Sequence, residues 1–189
     1  MIKLENTSVM NFENAIRGAR NPMNSWDKLD SSFDADGNFV FGPNDLSLGK
    51  KLCKAGSDHR KFVRQIFISV DITAPIYWWK EFDTYKVGTV SNSTSTMHTI
   101  HKKPISVELF ETDDYQSGLG LIDPAPIGLR TSLFIEDLEQ LRQQYLYYTD
   151  LAKAETDVEK QKELRATAKE YWKELIRWTP NGWLQTRTV

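Results

Sequence analysis

Apolar residues recur at two different periods along this chain, and the switches between them mark its elements. Phe12, Ala15, Ile16 and Ala19 fall at helical spacing, with Asn11 placed to cap that helix and Pro22 to end it. Leu46, Leu48, Leu52 and Cys53 form a second stripe, capped by Asn44, stopped by Gly56, and carrying the thiol of Cys53 in its apolar face. A third helix is expected from Ser57 or Asp58 through Phe62, Val63 and Ile66. Residues 66–72 follow, alternating apolar and polar after Phe67 as a half-buried strand does, until Ala74-Pro75 breaks the run. Pro75 suits the first turn of a helix through Ile76, Trp79, Lys80 and Phe82.

Between these elements lie segments without a period. Residues 34–38 resemble part of a calcium loop, but the glycine comes too early and no closing glutamate follows, so Asp36-Gly37 reads as a turn entering a short strand. Residues 87–97 and 111–131 read as loops, rich in Ser, Thr, Asn, Gly and Pro. From Phe134 to Trp178 the helical period returns in two stripes. Leu138, Leu141, Tyr145 and Tyr148 make the first; Leu164, Ala168, Tyr171, Leu175 and Trp178 make the second. The charged residues 155–158 join them, and Pro180-Asn181-Gly182 ends the pair. The expected fold is therefore α/β, with α+β as the alternative: a small central sheet with packed helices and a C-terminal helical hairpin. We expect a single domain over 1–189, its α/β core in 1–130 and the hairpin in 131–180.

Composition narrows the class. A chain of 189 residues with 40% hydrophobic and 26% charged residues can bury a core of its own. The net charge of −2 gives no basic field for nucleic acid, so direct nucleic-acid binding is not expected, although Lys50, Lys51, Lys54, Arg60, Lys61 and Arg64 crowd one stretch. One cysteine excludes an internal disulfide, and no apolar run approaches the ~20 residues of a membrane span, which points to a soluble cytoplasmic protein without a membrane partner. Six Trp and seven Tyr favour a large core or a contact surface.

The order of elements from Leu52 to His98 resembles the core of the flavin-dependent thymidylate synthases, also called thymidylate synthase complementing proteins. That family runs helix, Gly-His, short helix, strand, Ala-Pro, helix with Arg and Gln, an Arg-His-Arg triplet, then Ser-x-Asn-x-x-Ser-x-Arg-Tyr. Here Gly56 and His59 stand for the Gly-His element, and Ala74-Pro75 follows the strand. Lys80 and Glu81 fall on the Arg and Gln, Thr84, Tyr85 and Lys86 on the triplet, and residues 92–98 on the serine motif. The run Trp78-Trp79-Lys80-Glu81-Phe82-Asp83-Thr84-Tyr85-Lys86 is also similar to phage and prophage proteins of Gram-positive bacteria. The resemblance implies Lys86, Asn92 and Ser95 as remnants of a nucleotide and flavin site. It also implies lost chemistry. The family's arginines clamp phosphate and flavin with bidentate, always-charged contacts; here the triplet reads Thr84, Tyr85 and Lys86, of which only Lys86 keeps a charge, and Met97 replaces the arginine beside the serine. The family's final nucleotide-binding helix would begin at residues 185–189, so the resemblance leaves that site incomplete; FAD and thymidylate synthesis are not expected.

Two further groups carry candidate chemistry. His98 and His101 make a His-x-x-His pair that, joined by His59, would offer three ligands to zinc. Glu111, Asp113 and Asp114, with Glu108, form an acidic stretch suited to a basic partner surface. The functional expectation is a phage-encoded, catalytically degenerate synthase-like protein that binds a host protein, with a CRISPR effector nuclease as candidate partner. Its rivals are a flavin- or nucleotide-binding enzyme using Lys86, Asn92 and Ser95, and a structural zinc protein using the three histidines.

Overall fold

The structure is a computed structural model that describes residues 2–112 and 124–189, with side chains described from Thr131 onward in the second segment. The chain is mixed α and β, with a small antiparallel sheet, packed helices and a C-terminal helix pair. It divides into two compact units: Met1–Glu5 with Asp71–Val189, and Asn6–Val70. The helix pair belongs to the first of these together with most of the sheet. Strands β1 (Lys3–Met10) and β4 (Phe67–Pro75) run across the division.

In the unit Asn6–Val70, helix α1 (Phe12–Ala19) buries Ala15 and Ile16 as its spacing predicts. Asn11 does not cap it with its side chain. Its backbone is left-handed (φ 71°), its amide donates to the Gln65 carbonyl at 2.8 Å, and its Oδ1 accepts from Asn14. Strands β2 (Ser32–Phe33) and β3 (Phe39–Val40) pair antiparallel around the Asp-Gly turn. Asp34 accepts from the backbone N–H groups of Asp36 and Asn38, and Gly37 takes φ +80°, which a side chain would strain. Those hydrogen bonds, the one from the Asn38 backbone first, hold the Asp34 carboxyl below its ordinary value. Phe12, Phe33, Phe39 and Phe41 form an aromatic cluster with ring centroids 5.0–5.8 Å apart.

Helix α2 (Pro43–Lys54) starts one residue before the expected cap, because Pro43 takes its first position and Gly42 its N-cap. Asp30, a loop residue, satisfies the orphan donors Asn44 N–H (2.8 Å) and Asp45 N–H (3.0 Å), the work a capping side chain would do. A Cβ on Gly42 would overlap Asp30, so only glycine lets that carboxylate approach. The apolar face also differs from expectation. Asp45 is the buried residue of α2, and Cys53 is exposed. The third expected helix is a 3-10 segment, Arg60–Gln65, whose buried residue is Phe62. Phe62 packs with Ala15 and Ile16, flanked by Phe41, Leu52 and Ile66.

The other unit is organised by β4. Its strand continues through Ala74 and Pro75 before helix α3 (Ile76–Phe82) begins, so Ala-Pro ends the strand without interrupting it. The sheet order is β1-β4-β6-β5, where β5 is Asn92–Ser93 and β6 is Leu184–Thr188. Strand β6 pairs antiparallel with β4 (Asp71↔Thr188 to Pro75↔Leu184) and with β5 (Asn92↔Thr188, Ser93↔Arg187). Residues 185–188, where the resemblance places a helix start, are thus an interior strand.

Helix α5 (Pro124–Ala154) begins inside the stretch expected as loop to residue 131, its prolines tolerated in the first turn. Helix α6 (Val158–Trp178) follows after three residues, and Asp157 caps it by accepting from Glu159 N and Lys160 N, both at 3.0 Å. Such a cap contributes about 1 kcal/mol. Leu138, Ile135 and Leu175 from the pair pack with Ile100, Ile105, Phe110 and Trp183, each fully buried side chain worth about 1.5–3 kcal/mol. No helix among the described residues is long and apolar enough to cross a membrane.

Candidate functional site

Part of the stretch singled out by resemblance, residues 79–83 and 92–96, lies against β6. Trp79, wholly buried on α3, donates its indole N–H to the Gln185 carbonyl at 2.9 Å. The Arg187 guanidinium sits 4.3 Å over the Trp79 ring, donates to Asp83 at 2.7 Å and to Gln185 Oε1 at 2.9 Å. Gln185 in turn donates its amide to the Thr94 carbonyl at 2.8 Å. This chain of contacts hangs the 92–96 segment on β6, and Thr94 N–H adds a bond to the Thr186 carbonyl at 2.9 Å. Lys80, the expected clamp residue, bonds Asn181 Oδ1 at 2.8 Å.

Within that frame Asn92 is exposed on β5, and Ser95 is half-buried where helix α4 (Thr96–Thr99) begins. The Ser95 carbonyl accepts from the Thr99 hydroxyl at 2.7 Å. Lys86 is exposed in the turn after α3, without a hydrogen bond or ion pair among the described residues. Arg187 is the functional-looking residue that sequence reading missed. Its partners Asp83 and Trp79 lie more than a hundred positions away, beyond the reach of any local pattern.

The histidines separate by environment. His98 is exposed on α4, and His59 is exposed just before the 3-10 segment of the other unit. The His101 ring packs edge-on against Tyr145, with centroids 5.3 Å apart. Burial, then the charges of Lys102 and Arg142, push its pKa below the ordinary imidazole value. Among the described residues no three His, Cys, Asp or Glu side chains are grouped to hold a metal ion, and that includes the expected set His59, His98 and His101.

Beside His101 lies the second ordered charge cluster. Arg142 reaches Glu139 through two bonds of 2.7 Å and donates to the His101 carbonyl at 3.1 Å. Glu139 also accepts from Ile105 N–H at 2.7 Å and from Gln143 at 3.0 Å. The Arg142 hydrogen bonds outweigh burial and hold the Glu139 carboxyl down to about 2. This cluster ties the 101–105 turn to α5, and every charge in it is matched.

Of the acidic stretch, Glu111 is half-buried and its backbone N–H donates to the Gly182 carbonyl at 2.8 Å. Glu108 accepts from the Ser106 hydroxyl. Asp113 and Asp114 lie outside the described residues. Comparison of the chain with protein-family models and with curated proteins returned no match.

Proposed function

We propose that this protein is a binding module for another protein and has no catalysis of its own. One observation carries the reading. Where the thymidylate synthase pattern sets the arginine of its serine motif, this chain has Met97, 50% exposed, and apolar side chains are exposed through the stretch before it: Tyr85 at 67%, Val87 at 100% and Val90 at 77%. Apolar groups exposed along one stretch of chain favour contact with a protein surface over capture of a phosphate. The arginine that does reach this region, Arg187, is taken up by Trp79 and Asp83.

The partner we assign is a host defence nuclease of the CRISPR effector type, engaged by a phage-borne protein. Nucleases hold nucleic acid in basic grooves, and the acidic stretch 108–114 complements such a surface. The test is a cleavage assay with a purified CRISPR effector from a Gram-positive bacterium. Added protein is expected to inhibit cleavage, less so as salt rises. The double substitution Val87→Asp, Val90→Asp should abolish inhibition, and reversing Glu111, Asp113 and Asp114 to Lys should slow association. Full cleavage at saturating protein would remove the nuclease as partner.

The synthase alternative has its own check. Expression in a thymidine auxotroph is expected to give no growth without thymidine, because Thr84, Tyr85 and Met97 cannot supply the bidentate cations the reaction needs. Growth would return the chain to the enzymes.

A further inference from the structure

The helix pair α5–α6 is not packed evenly along its length. Tyr148 and Tyr171 stack across it with centroids 5.5 Å apart, and next to them the pair opens into a groove of about 440 Å³. Two alanines explain the space. Ala152 on α5 and Ala168 on α6 are both buried, at 2% and 5% exposure, and each contributes only a methyl where a larger residue would fill the gap. Two aromatic side chains line the same groove. Trp172 is fixed by its indole N–H to the Met97 carbonyl at 3.3 Å, and Tyr145 is fixed by the His101 ring.

Charge completes the picture. Arg165 and Lys169, one helical turn apart on α6, both line the groove, and neither forms a salt bridge among the described residues. Lys153 lines it as well but is paired with Asp150 at 2.8 Å. The neighbouring basic residues Lys173 and Arg177 are likewise taken, by Glu170 and Glu174. The groove thus brings together two α6 cations that form no salt bridge among the described residues, beside two rings and a floor without bulk; Lys160 and Lys162, also without one, do not line it.

We propose that this groove binds a nucleoside monophosphate: a flat ring against Trp172 and Tyr145, and a phosphate monoester at Arg165 and Lys169. The volume falls within the ~300–1,000 Å³ of small-molecule sites. A phosphate monoester carries about −1.5 to −2 charges near neutral pH, which matches two cations where a carboxylate would match one. Guanidinium offers it a planar fork, and ammonium a point charge. Indole and phenol faces stack on any base, so the groove selects the class of ligand and not the base. This site touches the 85–97 segment only through the Met97 carbonyl that holds Trp172, and the partner reading above does not require it.

Titration calorimetry of the full chain with AMP, UMP, adenosine and inorganic phosphate tests the proposal. AMP and UMP are expected to bind saturably and with similar affinity, and adenosine and phosphate each at least roughly tenfold more weakly. Arg165→Ala and Lys169→Ala lie at exposed positions and keep the fold, which their melting temperatures will verify; each should weaken AMP roughly tenfold. Trp172→Ala should weaken AMP while leaving the weak binding of inorganic phosphate unchanged. Lys173→Ala, whose partner Glu170 lies on the same helix, should leave AMP affinity unaltered. The proposal fails if neither nucleotide binds saturably at millimolar concentration. It fails equally if Arg165→Ala and Lys169→Ala both bind AMP as the unaltered protein does, or if phosphate alone binds as tightly as AMP.

Discussion

Replacing Asp45 by alanine is expected to cost the Asn6–Val70 unit roughly 3–5 kcal/mol, enough to unfold most units of that size. Asp45 is wholly buried and Arg20 is 4% exposed, with Nε–Oδ1 at 2.7 Å. The other carboxylate oxygen accepts from Ser31 N–H at 2.9 Å, from the Ser31 hydroxyl at 2.6 Å and from Asp30 N–H at 3.1 Å. Burial pushes the Asp45 carboxyl up, but the hydrogen bonds from Ser31 and Arg20 outweigh it and hold it below its ordinary value. Alanine strands the Arg20 charge and unpairs three donors from the 30–31 loop at once. Removing both charges, as in Arg20→Met with Asp45→Leu, should recover part of the loss. Urea denaturation monitored by amide exchange within residues 6–70 reads the result. A loss of stability below about 1 kcal/mol for Asp45→Ala would show that the pair is structurally idle.

Acid is expected to release the second charge cluster. The folded Glu139 carboxyl, held at about 2, lies below its unfolded value of 4.5, so the folded state binds the proton more weakly. Its contribution is fully present above the unfolded value and fades as pH falls from about 5 toward 2. The depression corresponds to stability on the order of 3 kcal/mol, at a side chain 18% exposed. Glu139→Gln should lower stability at neutral pH by a similar amount, because buried Arg142 loses its counter-charge, and should flatten the dependence below pH 5. Melting temperature against pH for both proteins is the measurement. Parallel curves would mean that other carboxylates carry the acid response.

Local pattern made the helices legible. Phe12–Ala19, Ile76–Phe82 and the pair joined at 155–157 all follow from apolar spacing and from Pro, Asp and charge-rich breaks. The strands were less so. Residues 3–10 of β1 are exposed throughout, so no alternation toward a core could mark them. Residues 184–188 read Leu-Gln-Thr-Arg-Thr, with one large apolar position, and become a strand only because β4 and β5 flank them. Misreading α2 has a similar origin. The buried position at Asp45 is polar, and hydropathy places Cys53 in the face that the Arg20 ion pair claims for Asp45. The loop residues Lys86, Asn92 and Ser95 could be named from resemblance, but the side chains that fix their surroundings, Gln185 and Arg187, are remote in sequence. The α5–α6 groove was hidden for a different reason. Ala152 and Ala168 look like ordinary helix formers until both are seen facing one hollow.

The interior place of β6 also governs the order in which the chain can assemble. The bond from the Thr188 hydroxyl to Asp71 joins residues 117 positions apart, whereas the Tyr148–Tyr171 stack closes a loop about a fifth as long. Loop-closure entropy makes the longer closure dearer by about 1.4 kcal/mol, close to a tenfold slower encounter, before any contact repays it. The helix pair therefore forms early and on its own terms, and the sheet waits for β6 to find the gap between β4 and β5. Until it arrives, Trp79 has neither its carbonyl acceptor nor its covering guanidinium, and the apolar edge of β4 stands open to other chains. The hazard of aggregation in this molecule lies in that interval, and its length is set by a strand of five residues.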